Sequence, residues 1–229
     1  MWVVIPVKRF PNAKSRLGPL LSEAERESLA QAMLHDVLSA VSSARGVSGI
    51  VVVSHEVRAR YAVERVGGLF LEESGNGLNA AVRQAAGWLA THGRREMFVL
   101  PGDVPLVTAR EVDDLIQRHS GLPAVTLAPD RERDGTNALL LSPLDVITCI
   151  FGRGSFAAHL AAAREVGVEP GVVTLAGLAL DIDHPLDLRA LLTFEDDSES
   201  LAYLMDSGIA ERLLPHSSRA QGGGANWPF

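Results

Sequence analysis

Short runs of apolar residues alternate along this chain with longer segments in which apolar positions recur every three or four residues. The short runs predict strands and the longer segments predict amphipathic helices. Regular alternation of the two is typical of βαβ units, whose strands form a largely parallel sheet. We therefore expect an α/β fold with a mostly parallel central sheet and helices on both faces.

The predicted strands cover residues 2–7, 50–54, 69–71, 97–100, 124–127, 137–141, 172–175 and 180–182. The predicted helices cover residues 23–46, 56–66, 78–91, 109–119, 155–166, 185–192 and 198–214. Ser22 and Glu25 have the spacing of a capping box, so they mark the start of the first helix. Pro185 suits the first turn of a helix, where its missing N–H costs nothing.

The last predicted helix carries an apolar stripe along one face, formed by Leu201, Leu204, Met205, Ile209 and Leu213. This stripe suits packing on the protein's own sheet or on a second subunit, and the second alternative predicts a homodimer. Residues 215–229 include three consecutive glycines and are predicted to be a disordered tail.

The composition indicates one domain with a substantial core, which we expect to span residues 1–214. The chain has 229 residues, 47% of them hydrophobic, and a formal net charge of −7. That charge argues against a general binder of nucleic acid or of anionic membranes, because both need a broad positive surface. No apolar run approaches the ~20 residues of a membrane span, and the first is too short for a signal peptide. We expect a cytoplasmic protein.

A strongly basic loop follows the first predicted strand. Four cations, Lys8, Arg9, Lys14 and Arg16, lie within nine residues of a chain that is otherwise acidic. Ligands of open α/β sheets bind at the carboxyl ends of strands, so this loop is placed to hold phosphates. The polyanion that it fits best is a nucleoside triphosphate.

Two acidic segments end predicted strands. Asp103 lies in a Gly-Asp-Val-Pro turn, and Asp181 and Asp183 alternate, so they point to the same side. Magnesium commonly takes one or two carboxylates plus substrate phosphates, which Asp103 and Asp183 would supply if the two strand ends are neighbours. The structural alternative is that Asp103 closes a turn and that Asp183 caps the helix opening at Pro185.

Other polar groups fit either ligand binding or local structure. Thr136 offers a hydroxyl at the mouth of a strand, and the Gly-Arg-Gly-Ser run at 152–155 offers unpaired N–H groups at a helix start, which suits an anion. Asn79 suits reading a base edge or capping its helix. His159 fits a packed or surface position better than a catalytic one. The single cysteine, Cys149, excludes a disulfide framework and a Cys-based zinc site.

Several runs together resemble one known family. They are Ile5-Pro6-Val7-Lys8, Ala13-Lys14-Ser15-Arg16-Leu17, Gly77-Leu78-Asn79-Ala80-Ala81, Asp103-Val104-Pro105, Gly135-Thr136-Asn137, the Phe-Gly-x-Gly-Ser-Phe-x-x-His run at 151–159, and Asp181-Ile182-Asp183. They resemble the guanylyltransferases of coenzyme F-420 biosynthesis, over about residues 2–192. The first run and the Asp-x-Pro turn are shared by many nucleotidyltransferases. The Gly-Thr-Asn and Phe-Gly-x-Gly-Ser-Phe runs together are more specific.

The resemblance implies a GT-A-like nucleotidyltransferase fold and a defined reaction. GMP passes from GTP to a small phosphorylated acid, which is phosphoenolpyruvate, 2-phospholactate or 3-phosphoglycerate, and pyrophosphate is released. The alternatives are a sugar-phosphate or molybdopterin-type nucleotidyltransferase on the same fold, and a nucleotide-binding protein without turnover.

The resemblance also implies roles for single residues. Those holding the GTP phosphates would be Lys8, Lys14 and Arg16, with Asn79 near the base or ribose. Those binding Mg²⁺ would be Asp103 and Asp183, with Asp181 replacing or assisting Asp183. Those contacting the acid would be Thr136, Gly152 and Ser155. The catalytic residues would be Lys14, Arg16 and Asp103. His184 stands where the family has a threonine, and Arg153 is an extra cation beside the acid.

Overall fold

A seven-stranded sheet runs through the middle of the protein, in the computed structural model that describes residues 1–194 and 197–213. Its strands are β1 (Trp2–Pro6), β2 (Gly49–Ser54), β3 (Leu69–Glu72), β4 (Met97–Val99), β5 (Ala124–Pro129), β6 (Thr136–Ser142) and β7 (Gly171–Val172). The order across the sheet is β3-β2-β1-β4-β6-β5-β7. Only β6 runs antiparallel to its neighbours, so the sheet is mostly parallel, as the sequence predicts.

The helices are α1 (Glu23–Ser43), α2 (Val57–Arg65), α3 (Leu78–Thr91), α4 (Ala109–Arg118), α5 (Ser155–Glu165), α6 (Ala176–Ala179), α7 (Pro185–Leu191), α8 (Glu199–Asp206) and α9 (Ile209–Leu213). The predicted capping box of Ser22 and Glu25 is present at the start of α1. Thr108 and Glu111 form a second one at the start of α4. None of the helices within 1–194 and 197–213 is long and apolar enough to cross a membrane.

Apolar cores lie on both faces of the sheet, because successive side chains of a strand point to opposite sides. Val3 and Ile5 of β1 pack in one core with side chains of α1, α2, α4, α7, α8 and α9. Val4 packs in the other core with side chains of α3 and α5. Helices therefore cover both faces, which confirms the predicted α/β class.

The last two predicted strands are largely wrong. Only Gly171–Val172 pairs with β5, and the chain then enters α6 instead of continuing as a strand. Gly177 allows this turn to lie against the backbone of Leu106, because a Cβ there would meet the Leu106 oxygen at 2.2 Å. Leu180 has an extended backbone, but residues 180–182 form no strand. Their link to the neighbouring loop is the Ile182 N–H, which donates to the Asp103 carbonyl at 3.1 Å.

The predicted final helix is broken in two. Gly208 has a φ of +72° and separates α8 from α9. Met205, within α8, is exposed, contrary to the predicted stripe, while Leu204, Ile209 and Leu213 are buried in the same core as α1. The buried part of the stripe thus packs on the protein's own chain. The predicted tail, 215–229, lies outside the described residues.

Polar contacts fasten α8 and α9 to α1 and to the turn before it. The carboxylate of Asp36, on α1, accepts the backbone N–H groups of Glu199 at 2.7 Å and Ser200 at 2.9 Å. Arg212, on α9, donates to the Leu20 carbonyl at 3.1 Å. The first contact satisfies N–H groups that the first turn of a helix otherwise leaves unpaired.

We predict that Asp36→Ala lowers the free energy of unfolding by about 1–3 kcal/mol, because it leaves partly buried N–H groups of α8 without an acceptor. Urea denaturation measures this loss. Asp206→Ala, which removes an exposed carboxylate at the other end of α8, is the matched control and should change stability far less. Equal losses in both variants would contradict the assigned role of Asp36.

Candidate active site

A cavity of about 830 Å³ opens at the sheet edge where β1 and β4 end and β6 begins. Its walls come from the basic loop after β1, the turn after β4, the 130–137 segment, the start of α5 and residues 179–187. Nine of the ten predicted site residues line it, namely Lys8, Lys14, Arg16, Asp103, Thr136, Gly152, Ser155, Asp181 and Asp183. The structure therefore brings together segments that are far apart in sequence.

Lys14 is held between two carboxylates. Its Nζ lies 2.6 Å from Oδ2 of Asp103 and 2.8 Å from Oδ1 of Asp183, and its side chain is only 7% exposed. Burial alone would lower the pKa of Lys14, but the two carboxylates outweigh it and raise that pKa to about 12. Lys14 is therefore positively charged at neutral pH.

The backbone of Lys14 is strained in a way that aims this ammonium group. Its φ of 53° and ψ of 37° lie in the left-handed region, which L-residues other than glycine rarely adopt and which costs about 1–2 kcal/mol. Buried Phe10 and Leu17 anchor the loop on either side of it. Strain of this kind persists where the surroundings over-determine the conformation, and it is common at functional sites.

Asp183 faces the cavity because another residue caps the helix. The Asp187 carboxylate accepts the backbone N–H groups of Asp183 at 3.0 Å and His184 at 2.6 Å. The predicted alternative, in which Asp183 caps α7, is therefore wrong. Burial opposes ionisation of Asp183, but Lys14 and then Arg16, 3.5 Å away, hold its pKa below the ordinary value.

Asp181 lies in a different electrostatic environment. Burial, followed by the negative charge of Asp103, raises the pKa of Asp181 to about 6. The Asn137 amide favours its ionised form, since Nδ2 donates to Oδ1 of Asp181 at 3.2 Å. The same Nδ2 donates to the Leu178 carbonyl at 2.8 Å, which fixes the amide.

The donor set of this cluster suits a divalent cation that arrives with phosphates. Asp103 and Asp183 present hard oxygen ligands within hydrogen-bond distance of one ammonium group. Across residues 1–194 and 197–213, no three His, Cys, Asp or Glu side chains are arranged to hold a metal ion by themselves. Magnesium commonly uses one or two carboxylates and completes its shell with water and substrate phosphate, so the residues fit it.

The hydroxyl groups of Thr136 and Ser155 form the other polar feature of the cavity. Thr136 begins β6 and Ser155 begins α5, and the two oxygens are 3.3 Å apart. Gly152, three residues before Ser155, has a φ of +133°, a conformation that a residue with a side chain rarely adopts. This part of the wall offers neutral donors beside charged residues.

Asn79 occupies a different position from the other predicted site residues. Its Oδ1 accepts the Phe151 N–H at 2.7 Å, and its Nδ2 donates to the Phe151 carbonyl at 3.1 Å. Gly77 is the N-cap of α3, so the predicted capping role of Asn79 is wrong. The amide fixes the segment leading to Gly152, and contact of Asn79 with a base or ribose stays a prediction.

The sequence did not assign a role in the site to Asp187, Arg131 or His159. Asp187 orients the Asp183 segment through Oδ2, and Arg131 lies 3.1 Å from Oδ1 of Asp187. His159 is fully buried and contacts Thr136. Asp187 is the third residue of a helix that begins with proline, a position typical of a helix-capping carboxylate, so the sequence did carry a signal for its role. His159 is the last residue of the family-like run at 151–159.

Comparison with known proteins decides between the nucleotidyltransferase families that this cavity suits. A family model described as "Guanylyl transferase CofC like" matches residues 1–221. The chain belongs to this family. The fold agrees with solved nucleotidyltransferase structures. A cytidylyltransferase from Leptospira borgpetersenii has a TM-score of 0.59 at 12% identity, covering 96% of this chain and 99% of that one.

Guanylyltransferases of several organisms are similar in sequence. The phosphoenolpyruvate guanylyltransferase of Sphaerobacter thermophilus is 39% identical, over 82% of this chain and 90% of its own. That of Rubrobacter xylanophilus is 36% identical, over 83% and 93%. The 2-phospho-L-lactate guanylyltransferase of Methanothermobacter thermautotrophicus is 36% identical, over 88% of each chain. The predicted family and the predicted enzyme class are confirmed.

The buried imidazole of His159 predicts an acid-sensitive fold. Burial lowers the pKa of His159 from its ordinary value of 6.5 to about 4. Between these values the unfolded chain binds a proton that the folded protein excludes, so stability rises with pH. We expect this group to contribute a loss of about 2 kcal/mol between about pH 7 and about pH 5. The loss is absent in His159→Gln, and urea titrations at both pH values measure the difference. Identical pH dependence in the two proteins would count against it.

Proposed function

We propose that this protein transfers the guanylyl group of GTP to a small phosphorylated acid and releases pyrophosphate, as a step of coenzyme F-420 biosynthesis. The observation that carries the proposal is the shared cavity. It combines a buried, charged Lys14 between two carboxylates with the hydroxyl pair of Thr136 and Ser155. Lys14 and its carboxylates suit a triphosphate with its cation, and the hydroxyl pair suits a smaller anion.

The acceptor class follows from the relatives' names. The Sphaerobacter and Rubrobacter relatives are named for phosphoenolpyruvate, and the Methanothermobacter relative for 2-phospho-L-lactate. Both acids carry a phosphate and a carboxylate on a small skeleton. We propose one of these, or the similar 3-phosphoglycerate, as the acceptor. The cytoplasmic location and the homodimer stay predictions.

The reaction needs charge neutralisation more than proton transfer. A phosphate oxygen of the acid attacks the α-phosphorus of GTP, and the bond from that phosphorus to the bridging oxygen breaks, with pyrophosphate keeping the electron pair. The attacking group is already an anion at neutral pH, so no general base is required. The obstacle is repulsion between two anions, which positioning and fixed cations relieve. Lys14, Lys8 and Arg16 are the cations of the cavity wall that we assign to the GTP phosphates.

The carboxylates of Asp103 and Asp183 are assigned to Mg²⁺, with Asp181 beside them. When bound, the ion would neutralise charge on the phosphates and on the departing pyrophosphate. The protein's own contribution is to keep these carboxylates together and oriented. Lys14 does this through its two contacts, and Asp187 does it by holding the backbone of Asp183.

We predict that Asp103→Asn lowers turnover by about 10²-fold or more while leaving the fold intact. A neutral amide is a poor ligand for Mg²⁺, and it replaces the ion pair with Lys14 by a weaker hydrogen bond. The assay is pyrophosphate release from GTP, ATP and CTP with each of the three acids and with a sugar 1-phosphate. Asp114→Asn, a carboxylate of α4 outside the cavity lining, is the control. Wild-type turnover in Asp103→Asn would remove the metal role, and a preference for the sugar phosphate would remove the proposed acceptor.

We predict that Ser155→Ala raises KM for the phosphorylated acid by about 10-fold and KM for GTP by less than about twofold, because it removes the hydroxyl that donates to Thr136 in the proposed acid subsite. Initial rates with each substrate varied in turn give the two constants. Equal increases in both constants would place Ser155 elsewhere in the reaction.

A further inference from the structure

His159 is a fully buried imidazole with a partner at each ring nitrogen. Its Nε2 lies 2.9 Å from the backbone nitrogen of Ile150, and its Nδ1 lies 3.0 Å from Oγ1 of Thr136. A backbone N–H only donates, so Nε2 must accept and carries no proton. The neutral ring then has its proton on Nδ1, which donates to Thr136. The geometry thus selects one tautomer.

This tautomer determines what the Thr136 hydroxyl has left to offer. A hydroxyl group accepts two hydrogen bonds and donates one. Oγ1 of Thr136 accepts from Nδ1 of His159 and, at 3.3 Å, from the Ser155 hydroxyl. Both of its acceptor positions are then used. Its own proton remains, and Thr136 lines the cavity.

A hydroxyl that can only donate matters in this cavity because the cavity wall is rich in carboxylates. Among them are Asp103, Asp130, Asp134, Asp181 and Asp183. An anion that enters such a space needs donors, and a hydroxyl oxygen turned toward it would repel it. A Thr136 that is only able to donate attracts a phosphate or carboxylate oxygen and disfavours a cation.

We propose that His159 is a positioning residue that makes Thr136 an obligate hydrogen-bond donor to the phosphorylated acid. It acts through Thr136 without touching the substrate, and the inference rests on the function proposed above. The same ring also holds the wall segment before Gly152. It accepts the Ile150 N–H and packs edge-on against Phe151 with ring centres 5.1 Å apart.

The tautomer is tested without any substrate. Nitrogen-15 NMR of the imidazole groups, with His159→Gln used to assign the signal, should show His159 neutral at neutral pH, with the proton on Nδ1. A proton on Nε2, or a charged ring, overturns the proposal whatever reaction the protein performs. This measurement separates a failure of the inference from a failure of the proposed function.

Steady-state kinetics test the consequence for binding. His159→Leu removes the donor to Thr136, so we expect KM for the acid to rise by about 10-fold and KM for GTP by less than about twofold. His159→Asn places an amide N–H near the position of Nδ1 and should recover most of that loss. Equal increases in both constants, or no recovery in His159→Asn, would overturn the proposal.

Two further measurements keep the test decisive. If no acid supports turnover, the proposed function fails, and inorganic phosphate becomes the probe. Its binding should then be weaker in His159→Leu than in the wild type by about 10-fold, and equal binding overturns the inference. If His159→Leu does not fold, the NMR result and the comparison of His159→Asn with the wild type decide.

His119 supplies the matched control. Its ring nitrogens each lie 2.8 Å from a hydroxyl oxygen, those of Thr126 and Ser142, but it is not part of the cavity lining. His119→Leu should lower stability while leaving both KM values as in the wild type. A rise in KM for the acid in His119→Leu equal to that in His159→Leu would show that general destabilisation explains the effect, and it would overturn the proposal.

Discussion

The ammonium group of Lys14 between Asp103 and Asp183 is the contact on which the cavity depends. It joins residues 89 and 169 positions apart, and all three line the same space. A buried charge without partners costs several kcal/mol, so neither acidic segment is free to drift from the basic loop. The two ion pairs therefore fix the positions of these three segments relative to one another. The other polar residues of the cavity wall lie around them.

The same constraint explains why a short loop is able to hold highly charged ligands. Lys14 adopts a left-handed backbone conformation between buried Phe10 and Leu17, so its position is fixed before any ligand arrives. A preorganised charge needs little rearrangement as charge develops, and this is the main way in which enzymes stabilise phosphoryl-type transition states. Asp187 and His159 extend this rigidity to Asp183 and Thr136.

Local patterns in the sequence were sufficient for most of the fold. The capping box at Ser22 and the apolar period of α1 depend on neighbours a few residues away, so they are readable without coordinates. Residues 180–182 and the break at Gly208 were misjudged, because pairing and bending there depend on segments distant in sequence. The site shows the same division. Residue types at strand ends predicted a shared cavity, but the engagement of Asn79 with Phe151 is a tertiary contact that no spacing rule reveals.

The contact of Arg212 with the Leu20 carbonyl has a consequence for the order in which the protein matures. Leu20 lies in the turn that joins the basic loop to α1, so this turn gains its last support from the far end of the described chain. Every residue that lines the cavity precedes α9 in the chain, so on the ribosome the whole cavity wall is synthesised before α9 emerges. A nascent chain halted before residue 212 would have all the ligand-facing groups yet lack the brace that steadies the loop carrying Lys14.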